Sequence, residues 1–141
     1  MLWWKRLFAS LFLLGVLILI DHVTKWTALQ YLPQEKVFCN TSGPWGIPIP
    51  QSLLIGLSAC ILIGMIGIEW KERAYRNAWI LILAGGTSNL LERIFRRCVV
   101  DFLDIPLIPF FNIADVFITG GCFFLVYLLV VDKYIERKNI Y

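Results

Sequence analysis

Four apolar stretches separated by polar and charged residues divide this chain of 141 residues. With the flanking residues needed for length, they cover 7–29, 51–69, 78–95 and 112–132. A helix of about 20 residues crosses the roughly 30 Å hydrocarbon core of a bilayer. Only the fourth stretch reaches that length on apolar residues alone, so the others carry polar groups into their spans. The pattern predicts an all-α membrane protein with four transmembrane helices, forming a single domain over 1–141.

The connection between the first two predicted spans, 30–50, contains four prolines together with Gly43 and Gly46. Proline removes a backbone donor and clashes with the preceding helical turn. We therefore expect an extended, turn-rich outer loop that can contain β-structure. On the second span, Gly56, Cys60 and Gly64 recur every four residues, which is typical of a small-residue face for close helix packing.

Basic residues in the short connections predict the orientation, because cytoplasmic loops carry an excess of Lys and Arg. Three basic clusters fall on one side of a four-helix topology, which places both termini in the cytoplasm: Lys5, Arg6, Lys71, Arg73, Arg76, Lys133, Arg137 and Lys138. A fourth cluster falls on the outer side, at 93–97. We expect its arginines to bind acidic headgroups or to pair with nearby carboxylates.

Composition and charge narrow the class of protein further. The chain is 59% hydrophobic, against about 45–50% for soluble domains, so lipid is its solvent. A net charge of +3 that lies in small clusters does not indicate nucleic-acid binding. Four widely spaced cysteines and one histidine do not form a metal framework. Two of the cysteines, Cys39 and Cys98, can pair across the outer loops.

Polar residues lie at membrane depth on the first span. Asp21, Thr24 and Lys25 share one helix face because they are three and four residues apart. They form either a local Asp–Lys pair that closes the helix end or the polar wall of a cavity. His22 points to another side of the helix and is interpreted as incidental.

The outer end of the third span repeats this arrangement. Asn89, Glu92 and Arg93 share a face there, after the small residues at 84–86. Helix-end solvation would explain them, with the small residues serving close packing. Two polar faces at the same depth favour a shared cavity instead.

Acidic residues surround the start of the fourth span. Asn112 can cap that helix, with Asp115 binding exposed N–H groups in its first turn. A second carboxylate, Asp101 or Asp104, lies in the preceding connection, and spacing does not choose between them. Two close carboxylates raise each other's proton affinity, so that one holds a proton while the other acts as a base. Such a pair is suited to activating water against an amide.

Four segments, taken in order, resemble the motifs of the lipoprotein signal peptidases, the type II signal peptidases of bacteria. They are Asp-His-Val-Thr-Lys (21–25), Ser-Asn-Leu-Leu-Glu-Arg (88–93), Val-Val-Asp-Phe (99–102) and Phe-Asn-Ile-Ala-Asp (111–115). The resemblance extends from the first span to the fourth. It implies an aspartic intramembrane endopeptidase that cleaves prolipoproteins before a diacylglyceryl-modified cysteine.

The resemblance also implies roles for particular residues. Asp101 and Asp115 would be the catalytic pair, with no metal and no cofactor. The enzyme would act as a monomer in the bacterial inner membrane, among membrane lipids, with its site at the outer face. The residues expected to bind substrate or support the site are Asp21, Lys25, Asn40, Asn89, Arg93 and Asn112.

This chain departs from the family pattern at three places. Asn-Thr-Ser-Gly-Pro-Trp-Gly (40–46) replaces an outer-loop motif of approximately Asn-x-Gly-Ala-Ala-Phe, Glu92 replaces an aspartate, and Ser88 replaces a glycine. The altered loop motivates an alternative, a silent relative that binds lipidated signal peptides without cutting them. A small proton-coupled transporter is the other alternative, because carboxylates lie near the membrane.

Overall fold

Four long helices form most of the molecule. The structure, a computed structural model, describes residues 3–43, 46–69 and 75–138. Within these ranges each predicted span corresponds to one helix, but α1, α3 and α4 are longer than predicted: α1 begins before residue 7 and continues into the predicted outer loop, and α4 ends at Lys138 rather than at 132. Their bounds are Trp3–Tyr31 for α1, Gln51–Glu69 for α2, Arg76–Arg96 for α3 and Ile113–Lys138 for α4.

The outer surface of this bundle is apolar. In the described part of the chain, Trp4–Tyr31 and Ile113–Ile135 are long and apolar enough to cross a membrane, and Gln51–Met65 is a shorter apolar helix. Large side chains on these helices point outward, and Phe12 and Phe123 are 66% and 74% exposed. Hydrocarbon is the solvent that such a surface requires. Four crossings remain a prediction, and Lys71 and Arg73, used to orient the chain, lie outside the described residues.

Helix α3 is the centre of the bundle and contacts the other three helices. Its contact with α4 is close because glycines lie on both sides. A Cβ on Gly85 would collide with the backbone carbonyl of Ala114, and one on Gly121 would lie 2.8 Å from the carbonyl oxygen of Ala78. The expected packing role of the small residues at 84–86 is therefore confirmed.

The small-residue face predicted on α2 does not pack against a helix. Cys60 is exposed, and a Cβ added to Gly56 or Gly64 would meet no described atom within 4 Å. That prediction was wrong because α2 contacts α3 through a different face, the one that carries Leu62. Its Leu62 side chain inserts against Gly86 of α3, where an added Cβ would lie 2.9 Å from Leu62 Cδ2.

Gly85→Ala provides a test of the α3–α4 contact. The new methyl group would meet a backbone carbonyl that cannot rotate away, so the helices must separate. We expect a loss of about 3 kcal/mol in the free energy of unfolding in detergent, at the upper end for overpacking. Gly120→Ala is the matched control because a Cβ there meets open space. Equal stability of the two variants would contradict this account of the packing.

Two small antiparallel sheets lie where α1 and α3 end. Strand β1 (Phe38–Asn40) pairs with β2 (Val99–Asp101), which places Phe38 opposite Asp101. Strands β3 (Leu103–Ile105) and β4 (Ile108–Phe111) form a hairpin. The predicted β-structure of the outer loop is confirmed by β1. The all-α prediction was wrong over 99–111, where short runs of Val, Ile and Phe, which favour strands, lie between the helices.

Candidate active site

Asp101 is the last residue of β2 and is buried, with 3% of its surface exposed. The side-chain amides of two asparagines donate to it. Asn40 on β1 donates to Oδ2 at 2.9 Å, and Asn112 donates to Oδ1 at 2.6 Å. The β1–β2 pairing sets the first contact, because it pairs Asn40 with Val99, two residues before Asp101, and so places Asn40 and Asp101 on the same face of the sheet. Asp104, by contrast, lies on β3 and is exposed.

Asp115 and Asn112 form a reciprocal cap at the start of α4. The backbone N–H of Asn112 donates to Asp115 Oδ2 at 3.1 Å, and the backbone N–H of Asp115 donates to Asn112 Oδ1 at 3.0 Å. This is the geometry of a capping box. Asn112 thus contacts Asp115 through its backbone N–H and its side-chain oxygen, and it contacts Asp101 through its side-chain nitrogen. The helix-cap interpretation of Asp115 is confirmed, and the asparagine that completes the cap also donates to Asp101.

Lys25 connects the two polar helix faces. Its Nζ lies 2.7 Å from Asp21 and 2.9 Å from Glu92, and it donates to Asn89 Oδ1 at 3.0 Å. The amide nitrogen of Asn89 then donates to Asp115 Oδ1 at 2.9 Å. The lysine is only 2% exposed, so this ion triad is buried. The polar faces of α1 and α3, which were expected to share a cavity, are thus joined by direct ion pairs and hydrogen bonds.

The two acidic partners of Lys25 hold the elements that carry the aspartate pair. Asp21 accepts from the backbone N–H of Ala114 at 2.7 Å, one residue before Asp115. Glu92 accepts from the backbone N–H of Val100 at 3.1 Å, one residue before Asp101. The longer Glu92 side chain thus reaches both the lysine and β2. The network therefore fixes the position of both carboxylates through their own backbones.

Arg93 lies near Asp101 and Asp115, and one of its guanidinium nitrogens makes no hydrogen bond to the described residues. Its Nη2 donates to the carbonyl of Ser42 at 3.1 Å, and it interacts electrostatically with Asp101 and Asp115. Its Nη1 is buried, with no hydrogen-bond partner in the described ranges. A buried, unpaired donor next to two carboxylates is available to a bound molecule.

The Asp101 carboxyl has an altered proton affinity. Burial raises the pKa of Asp101 to about 6, and the charge of Asp115 acts in the same direction. The hydrogen bonds from Asn40 and Asn112 lower the pKa, as does the charge of Lys25. Near neutral pH this carboxyl is therefore able to exchange a proton, as an acid–base group must.

Two residues of the network were not predicted. Ser88 donates to Asp21 Oδ2 at 2.6 Å, and its hydroxyl lies 2.9 Å from His22 Nδ1. The expectation that His22 points away from this polar face was wrong, because Ser88 contacts both His22 and Asp21. Thr24 does not join the network, because its hydroxyl donates to the carbonyl of Asp21 in the same helix.

Cys39 and Cys98 form a disulfide bond, with their Cα atoms 5.4 Å apart. The possible pairing across the outer loops is thus confirmed. The bond joins β1 to the residue before β2. Over the described ranges, no group of three His, Cys, Asp or Glu side chains is arranged to hold a metal ion.

Two cavities border the network. One of about 220 Å³ lies between α1 and α3, lined by His22, Glu92 and Arg96 among others. The second, of about 290 Å³, is formed by the C-terminal end of α1 and Phe102, the residue after Asp101. Its threonines, Thr24 and Thr27, satisfy their hydroxyls on their own helix. The second cavity is thus an apolar groove that reaches the residue next to Asp101.

Solved structures share this architecture. A bacterial membrane enzyme, determined by the in meso method at 2.3 Å resolution, superposes with a TM-score of 0.77, 23% identity and coverage of 89% of each chain. A second, at 1.9 Å resolution, superposes with a TM-score of 0.75 and 23% identity over 86% of this chain and 92% of the other. The fold is that of a bacterial membrane enzyme.

The sequence relatives identify the family of this chain. The family model for signal peptidase (SPase) II matches residues 13–131. A lipoprotein signal peptidase of Anoxybacillus flavithermus is 30% identical over 96% of this chain and 91% of that protein. One from Caldicellulosiruptor bescii is 39% identical over 57% of this chain and about half of its own length, 51%. The chain belongs to the signal peptidase II family and is a peptidase, as the sequence motifs predicted.

Proposed function

We propose that this protein is an aspartic endopeptidase of the bacterial inner membrane that removes signal peptides from prolipoproteins. It cuts the peptide bond before a diacylglyceryl-modified cysteine, and Asp101 and Asp115 are its catalytic pair. The observation that carries this proposal is that Asn112 bonds to both carboxylates at once. Two carboxylates held by one residue beside a free arginine donor are suited to general acid–base hydrolysis.

The hydrolytic step uses both carboxyl groups. One of them, ionised, takes a proton from water while the water oxygen adds to the scissile carbonyl carbon. Arg93 Nη1, the buried free donor, stabilises the charge that develops on the carbonyl oxygen. The other carboxyl, protonated, gives its proton to the leaving amine as the C–N bond breaks. The released amine is that of the lipidated cysteine.

Substrate recognition is proposed to depend on the lipid. The apolar groove formed by α1 and Phe102, the residue after Asp101, is suited to hydrocarbon rather than peptide. The remaining supporting residues, Asp21, Lys25, Asn40 and Asn89, hold the pair and its strands in place. They act as positioning residues.

The proposed topology has four membrane crossings, both termini in the cytoplasm and the site at the outer face, in a single domain that acts as a monomer. Besides the basic clusters, the disulfide supports this orientation. Disulfides persist in oxidising compartments and are rare in the cytosol. Since the Cys39–Cys98 bond joins the two strands next to Asp101, the site belongs on the outer side.

The experiment that tests this function is a cleavage assay with the purified protein in lipid vesicles. Two synthetic peptides of identical sequence are compared, one with a diacylglyceryl-modified cysteine and one with unmodified cysteine. We expect mass spectrometry to show a single cut, directly before the modified cysteine, and no cut in the other peptide. Tight binding of the lipidated peptide without product would instead indicate a silent relative.

A further inference from the structure

The Cys39–Cys98 disulfide lies next to a catalytic contact. Cys39 is the middle residue of β1 and precedes Asn40, which donates to Asp101. Cys98 precedes β2, whose last residue is Asp101. The bond therefore joins the strand that holds the donor to the strand that holds the acceptor.

Besides the disulfide and the hydrogen bond to Asp101, the described contacts of β1 are its ladder to β2, the Phe38 ring against Phe110 of β4 with centroids 4.3 Å apart, and the turn that follows it. Strand β1 is three residues long, and a two-stranded pairing of that size is marginal by itself. Beyond the ladder to β2, the following turn is anchored by Arg93, which binds the carbonyl of Ser42. The disulfide closes a loop with a sequence separation of 59 residues. Without the covalent bond, β1 would have to find its register against the entropy of that loop.

We propose that the Cys39–Cys98 disulfide is a positioning element of the active site, which keeps Asn40 on Asp101, so that turnover depends on the oxidised state. This inference rests on the proposed function. A dithiol reductant converts the bond to two thiols by supplying two electrons and two protons, and becomes a cyclic disulfide itself. Cys39 is exposed and therefore open to attack, whereas Cys98 is buried at 4% exposure.

Reduction has a specific expected signature. The Asn40 hydrogen bond lowers the pKa of Asp101, so loosening it raises that pKa further. The other charged groups facing Asp101 are Asp115, Lys25 and Arg93, and they lie on helices that the disulfide does not join. A catalytic pair needs one protonated carboxyl. The alkaline limb of the pH profile of kcat/KM therefore moves to higher pH.

The test compares wild type and Asn40→Ala, each oxidised and fully reduced, with the thiol state verified by mass spectrometry. Reduction of wild type is expected to lower kcat about tenfold, equivalent to one weak hydrogen bond to a charged group. The alkaline limb should shift upward. Oxidised Asn40→Ala should show the same shift, and its reduction should add nothing. A Cys60→Ser/Cys122→Ser variant, which lacks the two free thiols, should retain the full response.

Unchanged kcat and pH profile in fully reduced wild type would overturn the proposal. The proposal would also be overturned if reduction lowered kcat of Asn40→Ala by the same factor as it lowers kcat of wild type. Carbon-13 NMR titration of the Asp101 carboxyl, assigned with Asp101→Asn, provides a readout that needs no turnover. If oxidised wild type cleaves no lipidated peptide, the proposed function fails. The titration still decides whether the disulfide positions Asn40.

Discussion

Asp115→Asn is expected to reduce the single-turnover rate of lipidated-peptide cleavage by about 10³-fold or more, in the upper range for loss of an acid–base group. An amide neither accepts a proton from water nor donates one to an amine. Asparagine has nearly the same shape, and its carbonyl still accepts from the backbone N–H of Asn112. Asp101→Asn should have the same effect. The helices should remain folded in both variants, as circular dichroism can verify.

The matched control for these variants is Asp104→Asn. Asp104 lies three residues beyond Asp101 but is exposed on β3, so its loss should leave the rate within about twofold, as for ordinary surface changes. Retention of a tenth of the wild-type rate by either Asp101→Asn or Asp115→Asn would exclude that residue from the catalytic pair.

Lys25→Met is expected to be the most destabilising single change in the network. Lys25 is buried between Asp21 and Glu92, and methionine fills its volume without its charge. Asp21 is then left buried without its lysine, and Glu92 keeps only the more distant Arg96, 3.9 Å away. Removing one partner of a buried ion pair costs about 3–5 kcal/mol. The measurement is the free energy of unfolding in detergent micelles.

Two further variants separate charge from packing at Lys25. Lys5→Met, on the exposed surface of the same helix, should change stability by less than about 0.5 kcal/mol. Adding Asp21→Asn and Glu92→Gln to Lys25→Met removes the stranded charges and should recover part of the loss. If Lys25→Met is as stable as Lys5→Met, the ion triad does not hold the bundle together.

The helices were predictable because a helix that crosses a bilayer needs a continuous apolar stretch of about 20 residues. The spacing of Asp21, Lys25, Asn89 and Glu92 also allowed their shared cavity to be predicted. In both cases one helix period decides which side chains meet. What spacing could not show was the choice between Asp101 and Asp104. That choice depends on the pairing of β1 with β2, a contact between segments far apart in the chain.

Contacts between distant segments also explain the errors. Ser88 and His22 lie on different helices, so nothing local to either residue indicates their contact. Gly56 and Gly64 have the correct period for packing, yet period alone does not say which face of α2 meets α3. Asp115 was ambiguous for another reason. The same carboxylate caps α4 and faces Asp101, and a sequence shows only the local half of that arrangement.

The most direct test of the central claim, that Asp101 and Asp115 activate water, is a single turnover in water labelled with oxygen-18. With enzyme in excess over lipidated peptide, we expect the new carboxyl terminus of the released signal peptide to carry one labelled oxygen in the first turnover. Mass spectrometry of that product gives the result. An unlabelled first-turnover product would mean that an enzyme carboxylate attacked the carbonyl and transferred its own oxygen, and would contradict the proposed mechanism.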